Sequence, residues 1–268
     1  RSYSAIIDRT MGERLQSCDL GQVPWMELGD GQSGHQSDWR GAANLTGQLA
    51  FCWANPMSAY HQDARLLAHV KARLQAFAAE QVDGDIVWQG DHDPGNHGPM
   101  REDLNLRTAW AIEPLALAAN WVRDELADDE RATVDRMIRR SADLLMALPC
   151  NERNNRAAVR CAVLCLLGHY LGDRTLIDAG VRDFREAPMG IFNADGQINE
   201  GPGPDANYSG TSFVYCYTYR IFSGDITVDD GVKNGARWAT WVSDSFGAPA
   251  YFGAATRTAG IGPDKIAD

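Results

Sequence analysis

Apolar residues recur three and four positions apart along most of the chain, and strand-like alternation is rare, so the pattern predicts helix after helix. The predicted helices span 3–16, 41–53, 57–80, 104–125, 129–147, 154–171, 174–184, 209–222 and 231–243. In HQDARLLAHVKARLQAFAAE, Leu66, Leu67, Val70, Leu74 and Phe77 form a stripe opposite Asp63, Lys71 and Arg73, which marks an amphipathic helix on the outside of a domain. AAVRCAVLCLLGHYLG, starting at Ala157, is apolar on nearly every face and suits a helix surrounded by other helices; Arg160 is its exception. Outer amphipathic helices alternating with inner apolar ones are the mark of an all-α fold, a layered array or an α/α toroid of antiparallel helix pairs.

Between these helices three connections, 24–40, 83–101 and 193–208, carry more Gly, Pro, Asp, His and Trp than simple turns need. Long loops in a compact domain are functional or disordered, and this aromatic and polar mixture favours function. No repeat of 34 or 40 residues and no Ser- or Pro-rich linker marks a boundary, so one domain over 1–268 accounts for the pattern.

Composition narrows the class without naming it. The 268 residues are 44% hydrophobic and 23% charged, ordinary for a water-soluble globular chain, and no run of about 18 apolar residues suggests a membrane span. A net charge of −11 disfavours nucleic acid or an anionic membrane as partner. The opening RSYSAIIDRTMGE has neither an initiator Met nor a signal peptide's apolar stretch, and reads as a processed form or an excised piece. The six cysteines, at 18, 52, 150, 161, 165 and 216, have neither zinc spacing nor the density of a disulfide scaffold, and Cys161 and Cys165 read as core residues one helical turn apart. No cofactor or metal is called for: G-x-S-x-G, the phosphate-binding loop and His-Glu-x-x-His are missing. GPGPDA matches a dinucleotide fingerprint only by coincidence, because no strand precedes it.

Three places concentrate reactive side chains. NERNNRAAVR puts Asn154, Asn155 and Arg156 at the start of the apolar helix, with Arg160 one turn on. One Asn serves as an N-cap, but two Asn and several Arg exceed capping. Arg156 and Arg160 share a face, and a buried Arg requires an anion, either a protein carboxylate or one on a substrate. DGQINEGPGPDANYSG carries Glu200 and Tyr208 around a stiff Gly-Pro-Gly-Pro stretch. GDHDPGNHGPMRED offers His92, His97 and Arg101; the two His are weak metal candidates, and a base or a substrate contact is at least as good a reading.

The order and spacing of the first two places resemble the helical toroid domain of uronic-acid polysaccharide lyases, the alginate lyases and the heparinase II/III-like lyases above all. Those enzymes show Asn-Asn-His or Asn-His at this helix start, then a DG...E......Y segment with the catalytic Tyr at a similar separation. The resemblance covers 100–225. It implies that Asn155 binds and neutralises a uronate carboxylate and that Tyr208 is the catalytic acid or base. Arg156 stands where many relatives have His, and His97 is the residue that would replace it from another loop. Asn154, Arg160, Arg101 and Glu200, with Trp39 and Trp88 as sugar platforms, complete the implied substrate contacts. The β-rich domains that usually follow are missing, and about nine helices make an incomplete toroid. The implied partner is an acidic polysaccharide or oligosaccharide, and the implied location is secreted or periplasmic.

β-Elimination explains the residue types. The C5 proton of a uronate is a poor acid until the neighbouring carboxylate is neutralised, which donors such as Asn155 and Arg156 supply. A Tyr near an Arg can then take the C5 proton and return one to the oxygen leaving C4, a syn course if Tyr208 does both. Two other readings stay open: a toroid glycoside hydrolase using Asp91, Asp93, Glu200 or Asp205, and a helical module that only binds sugar.

Overall fold

The computed structural model describes residues 36–81, 101–148, 155–186, 199–200, 203–204 and 206–241, with side chains over 41–81, 108–148, 155–186 and 214–237. The predicted helix 3–16 lies outside the described residues. The fold is all-α, and eight helices appear among the described residues. The chain divides into two compact units, 1–147 and 148–268.

The first unit holds α1 (Gln36–Ala54), α2 (Ala64–Glu80), α3 (Arg101–Trp121) and α4 (Asp128–Ala147). α1 packs on both α2 and α3, and α4 on both α2 and α3. α1 and α3 run parallel. Gly47 stands against Pro114, where an added Cβ would be 3.0 Å from the proline Cβ. One turn further, Phe51 meets Trp121 edge to face at 5.5 Å. α2 and α4 run parallel as well, joined by side-chain amides. Gln75 donates to the Glu130 carbonyl at 3.1 Å, and buried Gln81 donates to the Met137 carbonyl and the Ser141 hydroxyl, each at 2.9 Å. Val134, Met137, Ile138, Ala142 and Leu145 of α4 form the buried stripe that the 3,4 spacing predicts.

Two details of α2 depart from the sequence pattern. The helix starts at Ala64 rather than near 57, because Asp63 caps it, accepting from the Arg65 amide at 2.8 Å, while Gln62 turns the chain at φ 58°. Arg73, read as part of the polar face, is buried with Leu66, Val70 and Phe77, and Leu67 is half-buried. Positions 66, 70, 73 and 77 keep one phase of the helix, and a long aliphatic stem lets Arg73 share that face.

The second unit holds α5 (Asn155–Leu171), α6 (Arg174–Glu186), a two-residue antiparallel pair of β1 (Asn199–Glu200) and β2 (Gly203–Pro204), α7 (Ala206–Ser223) and α8 (Asp229–Trp241). Ala157 to Gly168 of α5 are all buried, as an apolar helix packed on several sides should be. α6 returns antiparallel to α5 and shows it Leu176, Ala179, Gly180 and Phe184. Two glycines bring these helices together. A Cβ at Gly180 would stand 2.7 Å from Sγ of Cys165 and 2.8 Å from the Cys161 carbonyl oxygen, and one at Gly168 would stand 2.7 Å from Ile177.

Candidate functional site

Asn155 is the first residue of α5, only 4% exposed, and Arg156 beside it is half-buried. Arg160, one turn deeper, is buried and donates to Asp183 of α6 at 2.7 Å. Of the two anions foreseen for it, the structure supplies the protein carboxylate. Asp183 also pairs with Arg182 at 2.8 Å, so its charge is shared between a buried and an exposed guanidinium.

Glu200 lies in β1 with Gly203 as its β2 partner, and Tyr208 is the third residue of α7. Arg101 opens α3 and Trp39 falls in the first turn of α1. The side chains of these four are not among the described ones. His97, Asn154 and Trp88 lie outside the described residues, as do His92, Asp91, Asp93 and Asp205.

Within the second unit, α5 and α7, whose first turns hold two of these positions, pack on each other. The rings of His169 and Phe222 meet at 5.5 Å, and each stands within three residues of its helix's C-terminal end. The helices pack on each other along their lengths, so they run parallel. They have 17 and 18 residues. Asn155 and Tyr208 thus stand in the first turns of two helices that pack on each other.

The C-terminal end of α7 carries a polar junction that the sequence did not announce. Asp225, buried, accepts from the Tyr219 hydroxyl at 2.6 Å, from Nε of Arg185 at 3.0 Å, and from the amide and hydroxyl of Thr227 at 3.0 and 2.7 Å. Tyr219 in turn stacks on Phe184 of α6, ring centres 3.8 Å apart. Burial alone would raise the Asp225 pKa, but the bonds from Arg185, Tyr219 and Thr227 outweigh it and hold the carboxyl well below its ordinary value. Burial, then Asp225 itself, pushes the Tyr219 hydroxyl far up, so it stays a phenol and a donor. The D-x-T spacing of Asp225 and Thr227 was the available signal, since it is a local capping pattern.

Among the described residues no group of three or more His, Cys, Asp or Glu side chains could hold a metal ion. None of the described helices is long and apolar enough to cross a membrane. No protein-family model and no curated protein matches the chain.

Proposed function

We propose that the chain is a polysaccharide lyase that cleaves a uronic-acid-containing glycan by β-elimination on an incomplete α/α toroid. One observation supports the reading: α5 and α7, which carry Asn155 and Tyr208 in their first turns, pack on each other. The toroid is supported by the packing of alternate helices, α1 with α3 and α2 with α4 in the first unit, α5 with α7 in the second. Within a unit, parallel helices bring their starts, and the loops that feed them, to one end.

At that end the amide of Asn155 and the guanidinium of Arg156 neutralise the uronate carboxylate, which acidifies the C5–H. Tyr208 as phenolate takes that proton, the C4–O bond breaks, and the electron pair of the C5–H bond becomes the C4–C5 double bond. The phenol so formed protonates the departing oxygen, so proton and leaving group share one face of the ring. Arg160 supports the site from below through Asp183 rather than touching the sugar. His97, Asn154, Arg101, Glu200, Trp39 and Trp88 are the further residues proposed around the substrate. An acidic polysaccharide met outside the cytoplasm is the proposed partner.

The test is a panel of uronate polymers followed by the ultraviolet absorbance of the unsaturated product. Absorbance that grows with time, and is lost in Tyr208→Phe while polymer binding persists, supports the reading. New reducing ends without absorbance indicate hydrolysis, and binding with neither indicates a sugar-binding module.

A further inference from the structure

The proposed pair and the Asp225 junction sit at opposite ends of α7. A helix is a stiff rod with a rise of about 1.5 Å per residue, so its C-terminal anchor determines where its first turn stands. Several contacts make that anchor, and two of them, from Tyr219 and Arg185, come from different helices. Tyr219 of α7 and Arg185 at the end of α6 both donate to Oδ2 of Asp225. Thr227 holds Oδ1 through amide and hydroxyl, and Ser223 accepts from the Asp225 amide at 3.0 Å. The Phe184–Tyr219 stack closes the gap between α6 and α7.

α6 is itself fixed on α5. Gly168 and Gly180 allow contact too close for any other residue, and the buried Arg160–Asp183 pair at 2.7 Å sets the register of the two helices. Asp225 therefore connects α7, through α6, to the helix that starts with Asn155. Stacked rings resist separation, but they slide over one another easily. A carboxylate that accepts from two side chains on two helices does not, because sliding breaks directional bonds inside a buried site.

We infer that Asp225 is a positioning residue for the Asn155–Tyr208 pair, fixing the axial position of α7 against α6 and, through α6, against α5. This rests on the reading of those two residues as the reacting pair. Misplacement by about 1 Å from a site remote from the chemistry costs on the order of 100-fold in rate, so a small slide of α7 reaches turnover without reaching substrate affinity.

The experiment compares the full chain with Asp225→Asn, with Tyr219→Phe, which keeps the stack on Phe184, and with Leu176→Ala, a destabilising control on α6. All are assayed at a temperature where each is folded. Turnover comes from product absorbance, and helix position from the backbone amide chemical shifts of Asn155, Arg156, Asn207 and Tyr208. Expected is a kcat about tenfold lower in Asp225→Asn with KM within about twofold, a smaller change of the same kind in Tyr219→Phe, and shifted amides at those four positions in both. Leu176→Ala should keep kcat and those shifts. Equal kcat loss in Asp225→Asn and Leu176→Ala, or unshifted amides in Asp225→Asn, overturns the inference. If Asp225→Asn does not fold, Tyr219→Phe decides by the same criteria. A full chain that never forms unsaturated product defeats the lyase reading alone, and the amide shifts still decide whether Asp225 sets the position of α7.

Discussion

Tyr219 and Asp225 meet through a 2.6 Å hydrogen bond inside a junction where the phenol is fully buried and the carboxylate nearly so. A buried acceptor that loses one of its donors keeps most of its desolvation cost. Tyr219→Phe should therefore lower stability by about 1–3 kcal/mol, read as a lower urea midpoint with unchanged slope.

The same carboxylate makes stability depend on acid. A carboxyl whose folded pKa is depressed stabilises the fold fully above its unfolded value, near 3.8 for Asp225, and loses that contribution as pH falls from there towards the folded value. Asp63 adds a smaller effect of the same sign, because the Arg65 side chain holds it at about 2. Stability of the parent chain should thus be insensitive to Asp225 between pH 5 and 7 and fall below about pH 4. Asp225→Asn should start lower at pH 7 and fall less steeply under acid, measured by urea midpoints at stepped pH.

Two glycine substitutions should have opposite signs. A Cβ at Gly180 meets the Cys161 carbonyl oxygen at 2.8 Å, and backbone cannot move aside as a side chain can. Overpacking of about 1–3 kcal/mol exceeds the gain of up to about 1 kcal/mol in helix propensity, so Gly180→Ala should destabilise. Gly41 of α1 has nothing within 4 Å of its would-be Cβ, and Gly41→Ala should stabilise by about 0.5–1 kcal/mol. Thermal midpoints of the two variants settle both signs.

Arg160 and Asp183 form an ion pair in which the guanidinium is 4% exposed and the carboxylate 13%. Asp183→Ala takes the paired carboxylate away from a buried guanidinium and should cost up to about 3–5 kcal/mol. The double variant Arg160→Met with Asp183→Leu removes both charges and should recover most of that loss, which a double-mutant cycle in urea measures. Full recovery of stability by Asp183→Ala alone would show that Arg160 is held by other partners.

At the proposed site, Tyr208→Phe should reduce kcat by about 10²–10⁴-fold with little change in KM. Asn155→Ala should cost a comparable factor, about 10²–10³, together with a stability loss, since Asn155 is buried at a helix start. Steady-state kinetics on the best uronate polymer separate the two effects. Equal activity of Tyr208→Phe and the parent chain would remove Tyr208 from the chemistry.

The helices were legible from the spacing of apolar residues alone, because each must bury a stripe and the stripe has the helix's own period. Predicted 129–147, 154–171 and 174–184 became Asp128–Ala147, Asn155–Leu171 and Arg174–Glu186. The apolar sequence from Ala157 identified α5 as the buried helix for the same reason. The start of α2 was misread because Pro56 to Gln62 carry helical spacing, while the deciding bond, Asp63 to the Arg65 amide, is a local capping choice. Burial of Arg73 was invisible because spacing reads its charge and not its stem.

The sequence by itself determined which segments are helical, that α5 is an inner helix, and which short motifs cluster at helix starts, since these depend on interactions within a few residues. Tertiary structure decided that Asp183 answers Arg160, that Asp225 joins α6 to α7, and that α5 packs on α7 with His169 against Phe222. Such pairings are made between residues tens of positions apart, where the period of a single helix carries no information. Only the packing of one helix on another could make neighbours of the helices that carry Asn155 and Tyr208.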